Sequence, residues 1–334
     1  MNVSDRIQVF ELLGKKIGNL SKEDFSTISR RAFNENNWFT ELNVKNALEG
    51  IAYMLQSESL EKWTSNYDLS ASGNKDVGVV MAGNIPMVGF HDLMCVLLSG
   101  HKAIVKVSSQ DNILTTSLIS WIAEISPELG KQIETKELLK DIDAVIATGS
   151  DNTSRYFEYY FKHIPNVIRK NRTSVAVLTG DETQEQLADL ADDIYLYFGL
   201  GCRNVSKVFI PEGFDLTSTF PHLSKYNSAL DHHKYRNNYD YNKSIYLINK
   251  VDHFDTGYSL WTHSEELVSP ISVIYYEHYQ DQNDLAQKLS AHQDKIQCTI
   301  SSKTQDVQFG KAQRPELWDY ADNIDTLQFL IGLN

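Results

Sequence analysis

The stretch YFGLGCRNVSKVFIP, residues 197–211, holds one of only three cysteines in a chain of 334 residues, between a glycine-interrupted turn and a strand-like run. Gly199 and Gly201 suit backbone conformations that let a chain come close to a ligand. A thiol placed there, Cys202, can turn its sulfur and its backbone N–H toward one cleft, and as a thiolate it is a nucleophile for a carbonyl carbon. Arg203 follows, and a nearby cation favours a thiolate, although neighbours on extended backbone point apart. Spacing alone leaves two readings open for Cys202, nucleophile or structural cysteine. Cys95, inside MCVLL, and Cys298, inside IQCTI, read as small buried hydrophobes.

Three other stretches hold groups that such chemistry uses. AGNIPM (82–87) ends a strand with Asn84, an amide donor where a ligand would sit, or else a turn-former ahead of Pro86. ATGSDNTS (147–154) passes through Gly149 to Ser150 or Asp151, the expected N-cap of a helix through Tyr160. Free N–H groups at that terminus suit a phosphate, as they do at every α/β crossover. HSEELVSPISVIYY (263–276) puts Glu265 and Glu266 ahead of an apolar strand, which an ordinary acidic loop also does.

The elements that would position these groups follow from periodicity. VGVVMAG (77–83), AIVKVS (103–108) and AVIATG (144–149) read as strands, separated by helices over HDLMCVLLSG, ending at Gly100, and ILTTSLISWIAEI, stopped by Pro127. Alternating strands and helices imply right-handed crossovers and a parallel sheet, with ligands at the carboxyl ends of its strands. SVAVLTG (174–180) starts a second series, followed by a helix with Leu187, Leu190, Ile194 and Phe198 on one face. VSKVFIP, IYLIN, PISVIYYEHY, a short helix near 284–289 and IQCTISS come later, and the polar stretch 227–244 reads as a surface excursion or loop. Before all of these, Ile7, Phe10, Leu13 and Ile17, then Val44, Leu48, Ile51 and Leu55, mark covering helices. The pattern places a domain boundary near Arg172.

Composition narrows the function classes. With 31 Lys plus Arg against 44 Asp plus Glu, the net charge of -13 opposes binding to nucleic acid or anionic lipid through a diffuse field, while leaving room for a local basic pocket. The first residues lack a basic region followed by a short apolar core, and nowhere do about 18 apolar residues run together. The expectation is a cytoplasmic protein with no integral membrane segment. An odd number of scattered cysteines gives neither a disulfide framework nor a CxxC metal site, so free thiols and no metal are expected.

AGNIPM, AIVKVSS, ATGS, GLGC and EELVSP occur in an order and separation that resemble the aldehyde dehydrogenase superfamily, over roughly residues 75–300. Its members carry an Asn-containing turn, a Lys-bearing strand, a TGS turn, the nucleophilic Cys and an EEIFGP-like segment in that sequence. The helical N-terminus and the GNIPM and FGLGCRNVSKVF stretches are similar to the acyl-CoA reductase (LuxC) family within it. The resemblance implies an α/β fold: a helical N-terminus and Rossmann-type parallel-sheet cofactor domain over 1–172, then an α/β catalytic domain over 173–334. It makes Cys202 the nucleophile and Asn84, with the Cys202 N–H, the oxyanion hole. Lys106 would contact the adenosine ribose, Gly149 and Ser150 would lie beside the pyrophosphate, and Glu266 would hold the nicotinamide ribose.

Two departures from the superfamily pattern point to the reaction. Hydrolytic members have an LELGGK-like strand whose Glu activates water, whereas the matching VIRKNR (167–172) has no carboxylate. An acyl-enzyme would then be discharged by a thiol or by hydride, which favours acyl-CoA as substrate. Where NAD-preferring relatives place a Glu after the lysine strand, this chain has Ser109, which does not repel a 2'-phosphate. The expected activity is reduction of an acyl-CoA thioester to an aldehyde with NADPH, with NADH as the alternative cofactor. The rival readings are an acyl phosphate reductase of the glutamyl phosphate kind, an aldehyde dehydrogenase, and a non-catalytic superfamily member. An acyl-activating or aldehyde-consuming partner enzyme is implied by analogy. The segment 64–75 is short where tetrameric relatives insert a long hairpin, which leaves the oligomeric state open. The lone histidines His222, His232, His233 and His263 single out no proton donor.

Overall fold

The computed structural model describes residues 1–70 and 73–333, so residues 71 and 72 of the short segment 64–75 lie outside the described residues. The chain divides into two units, Met1–Asn171 with Pro315–Asn334, and Arg172–Arg314.

The first unit opens with α1 (Val3–Gly18), α2 (Lys22–Glu35), α3 (Glu41–Met54) and α4 (Ser57–Thr64). Asn2, Ser21 and Thr40 start the first three, each accepting a backbone N–H from one turn on. Phe10, Leu13 and Ile17 of α1 and Val44, Leu48 and Ile51 of α3 are buried, as their spacing requires. Then β1 (Asp76–Val80), α5 (Phe90–Leu98), β2 (Lys102–Lys106), α6 (Asn112–Ile125), α7 (Pro127–Gly130), β3 (Ile133–Thr135), β4 (Ala144–Thr148), α8 (Asp151–Phe161) and β5 (Asn166–Arg169) follow. These strands form one sheet in the order β3-β2-β1-β4-β5, parallel throughout. The winding reverses at β1, so the carboxyl ends of β1 and β4 flank the switch point where such sheets take ligands. α5 is buried along its length apart from half-buried His91, is apolar except for His91 and Asp92, and packs on β1, β2 and α1. A helix of that kind belongs to the core.

The second unit contains β6 (Thr173–Val177), α9 (Gln184–Tyr195), β7 (Val205–Pro211), α10 (Phe220–Leu223), α11 (His233–Asn249), β8 (Phe254–Asp255), β9 (Leu260–His263), β10 (Val273–Tyr279), α12 (Gln282–Ser290) and β11 (Ile296–Ile300). Its sheet runs β11-β6-β7-β10-β9-β8, parallel except for the antiparallel edge pair β8–β9. Both faces are covered, as parallel sheets demand. Leu190, Ile194, Val208, Ile210, Trp261 and Ile274 share one apolar cluster, and Val175, Val177, Phe209, Leu267 and Leu285 another.

Two local expectations change. Residues 227–244 and the following IYLIN are not a loop and a strand: a 3-10 segment through Asp231 leads into α11, which continues to Asn249. The buried stripe of α11 is Tyr235, Tyr239 and Asn242, tied by side-chain hydrogen bonds to Tyr258 O, Asp255 Oδ1 and Ile271 O. The stripe has helical spacing but is built from polar-tipped residues, which hides it from hydropathy. Phe198, placed on the stripe of α9, lies beyond the end of that helix.

Residues 315–334 follow the second unit in sequence but belong to the first, where α13 (Thr326–Ile331) packs on α5. Arg169, at the end of β5, pairs with Asp92 of α5 and donates to Thr326 Oγ1 at 2.7 Å, and all three side chains are buried. Among the described residues no helix is long and apolar enough to cross a membrane, and no group of three His, Cys, Asp or Glu side chains could hold a metal ion.

Candidate active site

Cys202 stands half-buried in the turn between α9 and β7. Three successive residues ahead of it are left-handed, Tyr197 at φ +54°, Phe198 at +58° and Gly199 at +76°. Glycine takes that region freely, but each non-glycine residue there costs on the order of 1–3 kcal/mol, which surrounding contacts must hold. Asn204, 2% exposed, supplies them. Its Oδ1 accepts the Gly201 N–H at 2.8 Å, and its Nδ2 donates to the carbonyls of Leu196 (2.8 Å), Asp193 (3.1 Å) and Ile194 (3.3 Å). The Cys202 carbonyl accepts from Ser174 Oγ of β6 at 3.1 Å. Arg203 donates its Nε–H to the Ala312 carbonyl at 2.5 Å, and Asp193 accepts the N–H groups of Gly310 (2.7 Å) and Ala312 (2.9 Å). Burial pushes the Asp193 carboxyl up to about 7. The turn is thereby fixed on both sides of the thiol.

Glu266 is exposed on the loop from β9 to β10, and that loop is anchored to the start of β7. Ser206 Oγ donates to the Leu267 carbonyl at 2.7 Å, and Lys207 Nζ donates to the Glu265 carbonyl at 3.0 Å.

In the first unit, Asn84 is exposed in the turn that leaves β1 for α5. The side-chain amide of Asn36 donates to the carbonyls of Gly83 (3.4 Å) and Gln110 (3.3 Å), and Asp111 Oδ2 accepts the N–H of Met87, at φ +55°, at 2.6 Å. Asp111 is 1% exposed, and burial pushes its carboxyl up to about 8. The native protein therefore keeps a proton that the unfolded chain releases near about 3.9. That contribution to stability is full below the unfolded value and lost as pH rises through about 8. Urea titrations at stepped pH should show the unfolding free energy of the wild type falling more steeply, or rising less, between about pH 4 and pH 8 than that of Asp111→Asn, which keeps an acceptor for Met87. Asp193, shifted in the same direction, contributes with the same sign in both proteins. Identical slopes in the wild type and the variant would contradict the buried, protonated carboxyl.

A cavity of about 800 Å³ in the first unit is lined by Val80, Lys106, Leu139, Ile142, Phe157 and Ile164 among others. It lies at the carboxyl ends of β1 and β2 beside α8. Lys106 Nζ donates to the Glu137 carbonyl at 2.8 Å, and Lys140 and His163 also line the space. Apolar walls with a lysine at the strand end fit the adenosine half of a dinucleotide. Ser150 is the N-cap of α8, its Oγ accepting the Thr153 N–H at 3.3 Å. A Cβ on Gly149 would lie 2.9 Å from the Phe157 ring, so glycine lets α8 close on the strand end. Ser109 is exposed in the turn between β2 and α6, outside that lining.

Asn84, Lys106, Ser109, Gly149 and Ser150 thus belong to the first unit, where they end strands or stand in the turns that follow. Cys202 and Glu266 belong to the second, the one just before β7 and the other on a loop bonded to its first residues. Sequence spacing passes over Asn36, Asp111, Asp193 and Asn204, polar residues that hold backbone and have no periodic signature. Lys207 alone shows a signal, a charge inside the apolar run VSKVFIP.

No curated protein sequence matches the chain. Solved structures share the fold: an aldehyde dehydrogenase of Mycobacterium tuberculosis complexed with NAD+ superposes with a TM-score of 0.66 at 14% identity, covering 91% of this chain and 74% of that one. An indole-3-acetaldehyde dehydrogenase of P. syringae gives a TM-score of 0.69 at 12% identity, covering 91% and 73%. An aldehyde dehydrogenase of Bacillus cereus gives 0.64 at 12%, covering 91% and 73%. The α/β architecture with its parallel-sheet, Rossmann-like core is that of the aldehyde dehydrogenases. The sequence profile described as acyl-CoA reductase (LuxC) matches residues 15–219, more than half of the chain and all of the turns that carry Asn84, Ser150 and Cys202, and the chain belongs to that family.

Proposed function

We propose that this protein reduces an acyl-CoA thioester to the aldehyde through a covalent acyl-enzyme on Cys202. As a member of the acyl-CoA reductase family it is an oxidoreductase acting on acyl or aldehyde groups. The observation that carries the thioester reading is the stretch 167–172, where a hydrolytic relative would hold its water-activating Glu. It contains no carboxylate, and Asp92, the carboxylate bonded to its Arg169, is buried in an ion pair. Without a base to activate water, the acyl group waits for hydride or for coenzyme A.

The Cys202 thiolate attacks the thioester carbonyl, the tetrahedral oxyanion collapses, and the bond to the coenzyme A sulfur breaks as coenzyme A leaves with that electron pair. In this reading Asn84 Nδ2–H and the Cys202 N–H donate to the oxyanion. A bound nicotinamide dinucleotide supplies a hydride to the acyl carbon. The thiohemiacetal oxyanion left on Cys202 then reforms the carbonyl, expels the sulfur and frees the aldehyde. Lys106, Gly149 and Ser150 hold the adenosine ribose and pyrophosphate, and Glu266 holds the nicotinamide ribose. Ser109 carries no charge to repel a 2'-phosphate, and Lys106 and Lys140 offer cations, so the preferred dinucleotide is NADPH. The partners in this reading are small molecules, with an acyl-activating or aldehyde-consuming enzyme beside it and no nucleic acid.

Steady-state assays with acyl-CoA thioesters of rising chain length, NADPH and NADH in parallel, test this reading. Turnover should require acyl-CoA and favour NADPH, and Ser109→Glu should weaken NADPH more than NADH. Equal or better wild-type efficiency with NADH would overturn the cofactor assignment. Turnover confined to an acyl phosphate would replace the thioester with that substrate.

A further inference from the structure

Lys207 is 0% exposed, and its ammonium is paired with the carboxylate of Glu277, itself 7% exposed. Lys288 Nζ takes the other carboxylate oxygen at 2.6 Å. Moving such charges out of water costs several kcal/mol per ion, and an apolar side chain at a strand position of this kind would pack without that cost. What the lysine adds is its bond to the Glu265 carbonyl. The register between β6 and β7 slips by one residue, Ser174 facing Val205 and Val175 facing Lys207, which leaves Ser206 as the extra residue of a bulge. Bulges re-aim side chains, and here two consecutive residues both reach the same loop. Around Glu266 the Glu265 carbonyl is held by Lys207, the Glu266 N–H by Ser264 Oγ at 3.1 Å, and the Leu267 carbonyl by Ser206, while the Leu267 side chain is buried. The backbone on both sides of the Glu266 side chain is thereby bonded to neighbouring side chains.

We propose that Lys207, with Ser206, is a positioning residue that fixes the Glu266 carboxylate for the nicotinamide ribose, coupling that loop to the strand that begins just after Cys202. This rests on the reading of Glu266 as the ribose ligand. The lysine touches no substrate and acts through the backbone of the loop.

Binding to the cofactor-free protein tests it, with NADPH followed by its fluorescence and ADP, which lacks the nicotinamide half, as the second probe. Lys207→Met, which leaves Glu277 paired with Lys288, and Ser206→Ala, which removes no charge, should each weaken NADPH by about tenfold, the effect of losing one well-placed hydrogen bond. ADP binding and acylation of Cys202 by acyl-CoA in the absence of cofactor should stay at wild-type levels. In a Glu266→Gln background, Ser206→Ala should add nothing further. If Lys207→Met does not fold, Ser206→Ala decides alone. Wild-type NADPH binding in the variants, with Glu266→Gln impaired, would overturn the positioning role and leave the ribose reading standing. An unimpaired Glu266→Gln would overturn both, and an equal loss of ADP binding would show general damage and overturn the positioning role.

Discussion

Cys202→Ala should reduce acyl-CoA-dependent oxidation of NADPH to background, whereas Cys95→Ala and Cys298→Ala should retain it. The three thiols differ in what surrounds them. Cys95 lies inside α5 with 0% exposure, and burial pushes its thiol well above the ordinary range, so the thiolate needed for attack is suppressed. Cys298 is on β11, its sulfur 3.1 Å from Ser174 Oγ, and the bond from that hydroxyl to the Cys202 carbonyl uses no atom of Cys298. Cys202 alone sits in a left-handed turn whose strain is held by Asn204 and whose flanks are tied down by Arg203 and Ser174. Strain kept at a turn of this kind is characteristic of working groups. A Cys202→Ala variant that kept even about a tenth of the rate would contradict covalent catalysis, since removing a nucleophile costs orders of magnitude.

Asn84→Ala should lower the chemical step by about 10²-fold or more, the usual effect of removing one oxyanion donor, with little change in cofactor affinity. The scaffold of its turn should survive the change. Asn36 and Asp111 hold the backbone at Gly83, Gln110 and Met87 through atoms that do not belong to Asn84. A loss of rate would therefore report a missing donor rather than a collapsed turn. Single-turnover release of coenzyme A reads the step directly, and an unchanged rate would return Asn84 to the role of turn-former.

The parallel sheets and the turns at their carboxyl ends are legible in the sequence because β-branched runs such as AIVKV and AVIAT are bounded by Ser or Gly, and the candidate site residues stand in or beside those turns. α11 escapes because its inward stripe is Tyr235, Tyr239 and Asn242, which bury rings and amides while satisfying their polar tips. The return of residues 315–334 to the first unit escapes for another reason. Trp63 Nε1–H donates to Tyr320 at 2.8 Å and Tyr67 to Asp325 at 2.7 Å, pairs separated by 257 and 258 residues that no local pattern links. The clamps on the turns are hidden likewise, since Asn204 and Asp111 read as ordinary polar residues until burial shows what they hold.

The central claim, an acyl group carried on Cys202 that water does not remove, is most directly tested by intact-protein mass spectrometry after mixing the protein with acyl-CoA in the absence of NADPH. The mass of one acyl group should appear, persist in buffer, be absent from Cys202→Ala, and be discharged rapidly on adding NADPH or free coenzyme A. Hydrolysis that kept pace with reduction would contradict the account and show that some group other than those of residues 167–172 activates water.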